Sequence, residues 1–249
     1  MDHLILHHIG ELLDKSGAQF ALYVQKTGKP PFFYQNHDLF YSASIIKIPI
    51  LLSWVMLERE GLLDRRALCD MKAEPPVQGA GLSWLLATPC LTYQDVLLMM
   101  IALSDNLCTN LIIRRIGLQR LNETFRSRLK LAGGTRIERK LFDYAARARG
   151  LDNYVSAADC IHFYSLMESL RAEEKAWVDP MFAVNDDTSL LLRNVPRDSL
   201  TFHHKTGSIP NVLHDWGYTD RCRIFLLTQN VRDERQMNAI FGELGELLS

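Results

Sequence analysis

The sequence predicts a mixed α/β chain in which one antiparallel sheet is assembled from both ends, flanked by helices, with an all-helical module inserted between its halves. Three observations point there: strand-like segments at 19–35 and again beyond 200, helical segments between 44 and 131 and again over 156–170, and an amphipathic helix at either end. On this reading residues 1–43 and 190–249 form a discontinuous α/β part and 44–189 a helical part, the two making one unit.

The first fifteen residues read as an amphipathic helix with Leu4, Ile5, His8, Ile9 and Leu12 on one face. Residues 19–26 and 31–35 read as two strands around the turn Gly28-Lys29-Pro30. A nearly all-apolar helix follows from Ile45 to Glu60, expected to be buried on most faces. Thr92 is placed to cap a helix running to about Leu103, and helices over 106–116 and 118–131 precede the stop at Gly133-Gly134. Residues 135–155 lack periodicity and read as a long loop, before another helix over 156–170. Three strands (201–206, 213–219, 222–231) and a helix over 233–248 complete the chain.

Composition removes several classes of function. The 249 residues carry 28 Lys and Arg against 29 Asp and Glu, a formal charge of -1 that offers no electrostatic footprint for nucleic acid or an anionic membrane. An apolar content of 47% with 23% charged residues excludes disorder. The five cysteines are scattered without a C-x-x-C pair, which predicts free, mostly buried thiols and neither a disulfide framework nor a zinc ribbon. No basic n-region with an apolar run opens the chain, and the most apolar later segment is interrupted by Lys47 and Pro49. A chain complete as it stands is expected in the cytoplasm; one whose leader has been removed is expected in the periplasm or secreted.

Three short motifs carry chemistry. Ser44-Ile45-Ile46-Lys47 heads a buried helix, where one turn brings the lysine amine beneath the serine hydroxyl. A serine is a weak nucleophile until a base removes its proton, and a helix N-terminus adds amides that stabilise an oxyanion. Ser127-Arg128-Leu129-Lys130 has the same spacing but sits on a polar helix as a solvated face. Ser104-Asp105-Asn106 falls between two helices, where helix capping and presentation to a cleft are both open readings. Lys205-Thr206-Gly207 lies on a strand and combines a cation, a hydroxyl and a closely approachable backbone, whereas Lys26-Thr27-Gly28 reads as a hairpin turn.

In this order the trio S-x-x-K, S-D-N and K-T-G resembles the class A β-lactamases and penicillin-binding proteins. The likeness extends through Tyr41–Ile50 and through Leu91–Gly117, and the order of strands and helices matches along nearly the whole chain. The resemblance implies a β-lactamase/transpeptidase-like fold and a serine hydrolase that forms an acyl-enzyme on Ser44, at the seam of the two parts. It implies Lys47 as the base and Ser104 as the proton relay to the leaving nitrogen. Asn106 is implied as the ligand of a substrate amide, and Lys205 and Thr206 as the ligands of a substrate carboxylate. The amides of Ser44 and of Ser208, the residue after Gly207, are implied as the oxyanion hole. The implied partner is a small β-lactam or peptide-like amide, with no metal or organic cofactor, no nucleic acid and no membrane.

The sequence departs from the family where acyl-enzymes are hydrolysed. Against the E-x-x-L-N pattern of class A enzymes, Glu138 and Leu141 fall in register but Phe142 replaces the Asn; Asp143 offers a carboxylate one residue on, and Arg136 is a partner for Asp152 in pinning the loop. Acylation is therefore better supported than turnover. A D,D-peptidase or esterase on the same fold and a relative that acylates once or only binds both remain alternatives. A reduced, leaderless chain with this loop also counts against both antibiotic resistance and cell-wall peptidase action as its physiological role. Trp84 is a candidate wall of the cleft, and His203, His204 and His214 lie near the third motif without metal spacing.

Overall fold

Strands buried on both faces have no polar side to show, and the segments that close the chain read that way: Cys-Arg-Ile-Phe-Leu-Leu-Thr-Gln is apolar at successive positions rather than alternating. The computed structural model describes residues 2–248. In it this segment, β9 (Cys222–Gln229), is the centre of a five-stranded antiparallel sheet. Its neighbours are β1 (Gln19–Lys26) on one side and β8 (Val212–Tyr218) on the other; β2 (Phe32–Gln35) and β7 (His203–Ile209) are the edges, giving the order β2-β1-β9-β8-β7. The register pairs Gln19 with Gln229 and Lys26 with Cys222, so the two ends of the chain are joined along eight residues.

One face of the sheet, carrying Phe20, Leu22, Ile224 and Leu226, is covered by α1 (Asp2–Ser16) and α9 (Glu234–Gly245). The buried face of α1 is Leu6, Ile9 and Leu13; Leu4 is 76% exposed and His8 is also exposed, so the expected stripe is rotated by about 100°, one residue's step around the helix. Helical phase in so short a segment depends on which of two adjacent apolar rows meets the sheet, and here Met237, Ile240 and Phe241 of α9 select the second.

The other face, with Ala21, Tyr23, Trp216 and Phe225, packs against the helices of the chain's middle. These are α2 (Lys47–Arg59), α3 (Tyr93–Ala102), α4 (Asn106–Ile116), α5 (Leu118–Ser127), the short α6 (Tyr144–Ala148), α7 (Ala157–Glu168) and α8 (Ala172–Ala183). Contact with the sheet is specific: Trp216 Nε1 donates to the Cys160 carbonyl at 2.8 Å, and the Tyr164 hydroxyl to that of Ile224 at 2.8 Å. Burying an aromatic of this size contributes roughly 2–3 kcal/mol, so the stacked Tyr164–Trp216 pair, with centroids 4.6 Å apart, is a principal tie between helices and sheet.

Helix starts follow side-chain chemistry. Thr92, Asp105, Ser156 and Asp233 each accept a hydrogen bond from an amide in the first turn of α3, α4, α7 and α9. Two expectations are corrected. The helix expected to 131 stops at Ser127, beyond which Lys130 takes φ 57°, and α8 was not anticipated because Pro180 and weak periodicity hide it. What secures α8 is Glu174, which accepts from the Arg171 amide at 2.7 Å and binds the Arg59 guanidinium at the end of α2. Two short pairings also escaped the sequence: β3 (Leu39–Tyr41) with β6 (Tyr154–Ser156), and β4 (Leu68–Asp70) with β5 (Cys90–Thr92). Three-residue strands leave no periodicity to read. All five cysteines are free, Cys90 exposed and the other four buried. Among the described residues no helix is long and apolar enough to cross a membrane.

Candidate active site

Ser44 lies in a 3-10 turn, Ala43–Ile46, that leads into α2. The turn is held under strain: Ala43 has φ 42°, in the left-handed region a residue with a Cβ rarely adopts. Lys47 follows one turn later, fully buried, and its Nζ contacts Ser44 Oγ at 3.1 Å, Ser104 Oγ at 3.0 Å, the Ser104 carbonyl at 2.5 Å and Asn106 Oδ1 at 3.1 Å. Burial, reinforced by the nearby Lys205 charge, holds the amine well below the usual lysine range. A neutral amine has two N–H groups and one lone pair. Two of its neighbours, the Ser104 carbonyl and Asn106 Oδ1, bring no proton and take the two N–H groups; the lone pair is left for a serine hydroxyl. Such an arrangement can take a proton from a serine hydroxyl.

Ser104-Asp105-Asn106 serves both readings left open by its sequence. Asp105 is the cap: fully buried, it accepts from the amides of Cys108 and Ser83 at 2.9 and 2.8 Å and from the Ser83 hydroxyl at 2.7 Å. That anchoring turns Ser104, at φ 53°, and Asn106 towards Lys47. The Asn106 amide nitrogen donates to the Gln78 carbonyl at 3.1 Å. From the opposite side β7 brings Lys205, buried, with Thr206 and Gly207. A Cβ on Gly207 would stand 2.9 Å from the Ser44 amide nitrogen, so glycine permits the strand to pass directly against the Ser44 backbone. Burial pushes the Lys205 amine down to about 8, opposed by Asp187, Asp215 and Asp186.

Ser44, Ser104, Asn106, Thr206, Gly207 and Ser208 all line one cleft of about 430 Å³, with Lys47 beneath it. Glu138 and Asp143 are not brought to it. Glu138 accepts from the Asp152 amide at 3.3 Å and lies 3.5 Å from Arg136 Nε; Asp143 caps α6 through the Ala146 amide at 2.9 Å. The loop shows Leu141 and Phe142 to the cleft instead. Asn110 fixes this by clamping Leu141 through both its amide and carbonyl, at 2.8 and 3.0 Å, and Phe142 follows at φ 62°. Asp152 also lines the cleft, but its partner is Arg139 at 2.6 Å, with Arg147 at 3.4 Å; Arg136 instead lies over the Tyr154 ring at 4.1 Å. The expected Arg136–Asp152 pair is thus replaced, because the bridge pairing Arg136 with Tyr154 aims the guanidinium at the ring.

Other expectations resolve similarly. Trp84 lines a separate surface hollow with Met71 and Pro75, away from the cleft. The histidines are spread through the sheet: His203 stacks on Tyr218 at 5.0 Å, and His204 Nδ1 is 3.1 Å from Asp215. His214 Nε2 is 2.8 Å from the Tyr41 carbonyl, which requires it to be the protonated nitrogen, so Nδ1 accepts from the Thr228 amide at 3.1 Å. Ser127 and Lys130 lie away from any cleft, the Ser127 hydroxyl bonding back to Glu123. Sequence reasoning missed Asn110, Asn153 and the run Asn185-Asp186-Asp187, three of whose side chains enter the cleft wall. No spacing rule marks them; the one signal was a polar run before an apolar segment.

The profile of the Beta-lactamase enzyme family matches residues 6–249. Among solved structures the chain is similar to a β-lactamase from Sphaerobacter thermophilus DSM 20745, at 20% identity over 97% of this chain and 94% of that one, TM-score 0.82. It is similar to a PBP-A mutant seen as an acyl-enzyme with penicillin G, at 21% identity over 98% and 96% of the two chains, TM-score 0.83. An ancestral class A β-lactamase is likewise similar, at 18% identity over 98% of each chain, TM-score 0.84. A comparison with curated proteins finds no match.

Proposed function

The chain belongs to the β-lactamase enzyme family, and from that premise we propose that it is a serine acyl-enzyme former that opens β-lactam or related amide bonds on Ser44 and releases the acyl group slowly. The observation that carries the first half is the Lys47 amine, buried and set between the Ser44 and Ser104 hydroxyls. Ser44 Oγ attacks the carbonyl carbon as its proton passes to Lys47. The developing oxyanion is met by the amides of Ser44 and Ser208, beside Gly207. Ser104 then delivers a proton to the leaving nitrogen as the C–N bond breaks, and Lys47 restores it, leaving an ester on Ser44.

Slow release is supported by the loop. Water is a weak nucleophile and deacylation needs a base near the ester carbonyl. Glu138 and Asp143 are turned to other partners, Asp152 is committed to two arginines, and Leu141 and Phe142 occupy the wall. This favours the penicillin-binding reading over an efficient lactamase. Intact-mass measurement after mixing with benzylpenicillin tests it. The expected result is a persistent adduct of one penicillin per chain that Ser44→Ala abolishes; absence of any adduct on the wild-type chain contradicts the assignment.

A further inference from the structure

The geometry points to Asp187 as a specificity determinant: we propose that the subsite formed by Thr206, Ser208 and Asp187 takes the neutral amide end of a peptide-like acyl donor in place of a free carboxylate. This rests on the acyl-enzyme reading above.

The Thr206 hydroxyl donates to Asp187 Oδ2 at 2.7 Å, and both residues line the cleft that holds Ser44. The Asp187 side chain is positioned by its own loop. Oδ1 accepts from the Ser189 hydroxyl and amide at 2.6 and 3.1 Å, and the Asp187 amide donates to Asn185 Oδ1 at 3.1 Å. A protein carboxylate therefore already occupies the donor that would otherwise serve a ligand carboxylate. A threonine hydroxyl has a single proton. With that proton spent on Asp187, Thr206 offers lone pairs, and Asp187 offers more. An incoming carboxylate brings only further lone pairs, whereas a primary amide brings two N–H donors to meet them and an oxygen for the exposed Ser208.

Charge leads the same way. Lys205 lies beside this wall, and Asp186 and Asp187 both line the cleft; Arg139, which lines it too, is paired with Asp152, and Asp215, a third nearby carboxylate, is directed at His204. The Lys47 amine is held well below the usual lysine range, so a ligand carboxylate would join Asp186 and Asp187 with little added cationic compensation. An ammonium group fits less well than an amide, because the Lys205 amine is already at the Thr206 carbonyl, 2.8 Å away.

The test uses matched probes: the thioester N-benzoyl-D-alanyl-thioglycolate and its primary amide, with acylation of Ser44 followed by thiol release and intact mass. The amide is expected to acylate the wild-type chain about tenfold faster. Asp187→Asn, which keeps the acceptor for Ser189, is expected to raise the carboxylate probe's rate about tenfold without raising the amide's. Equal rates, or a preference for the carboxylate that Asp187→Asn leaves unchanged, overturn the inference. If neither probe acylates, the acyl-enzyme reading fails separately. The inference is then decided by binding of N-acetyl-D-alanyl-D-alanine and its amide to Ser44→Ala, where tighter binding of the amide supports it and no preference overturns it.

Discussion

Acid should unlatch the segment that leads to the nucleophile, through His214. This residue is fully buried in β8 and bonds two different elements: Nε2–H donates to the Tyr41 carbonyl, three residues before Ser44, and Nδ1 accepts from the Thr228 amide. Both bonds together require the neutral ring, since a second proton on Nδ1 would face an N–H. Burial is the main cause that pushes the group from its ordinary 6.5 to about 4, with the Tyr41 and Leu213 carbonyls opposing. The unfolded chain therefore binds more protons than the folded one between those two values, and stability falls as pH drops through that window. At 1.36 kcal/mol per unit, taking the pH from 7 to 4 costs about 3 kcal/mol. For a chain of this size that is a fall of roughly 6–12 °C in melting temperature. Other carboxylates also titrate there, so the measurement is a difference: urea unfolding of wild type and His214→Asn at pH 7, 5.5 and 4. Wild type should be the more stable at pH 7, and the gap should shrink by about 3 kcal/mol by pH 4. A gap independent of pH would refute the assignment of the tautomer and of the burial cost.

Four further outcomes follow from the geometry. Gly207→Ala places a Cβ 2.9 Å from the Ser44 amide and should slow acylation by about 100-fold through displacement of the nucleophile, read as the second-order rate of penicillin adduct formation. Glu138→Gln should leave the lifetime of the acyl-enzyme within about twofold of wild type, since that carboxylate faces Arg136 and the Asp152 amide; a much longer lifetime would restore Glu138 as the deacylating base. Asp143→Asn should be equally silent in that assay, and because Asn also caps helices it should cost under about 1 kcal/mol in urea unfolding. Lys47→Met should abolish adduct formation while the chain still unfolds cooperatively, since Met fills a similar volume without the buried amine.

What the sequence made legible follows physical scale. Long elements with a period announce themselves, so β1, β9, α4 and α9 lie close to where patterning places them. The residues of the three motifs also converge on the cleft, because their chemistry is local: Lys47 reaches Ser44 through a single turn. The loop behaves differently. Whether Glu138 or Leu141 faces Ser44 is decided by Asn110, 31 residues from Leu141, and by the bridge between Arg136 and Tyr154, neither of which a spacing rule encodes. Asp187 was hidden for the same reason: its meaning comes from Thr206, 19 residues away in the chain and hydrogen-bonded to it.

On the proposed chemistry, acylation outruns deacylation at one serine. Rapid mixing of the chain with excess chromogenic cephalosporin measures both steps in one trace. The expected trace is a burst of one chromophore per chain followed by a steady phase about 100-fold slower or more. A linear trace of rapid turnover without a burst, or no colour at all, would contradict it.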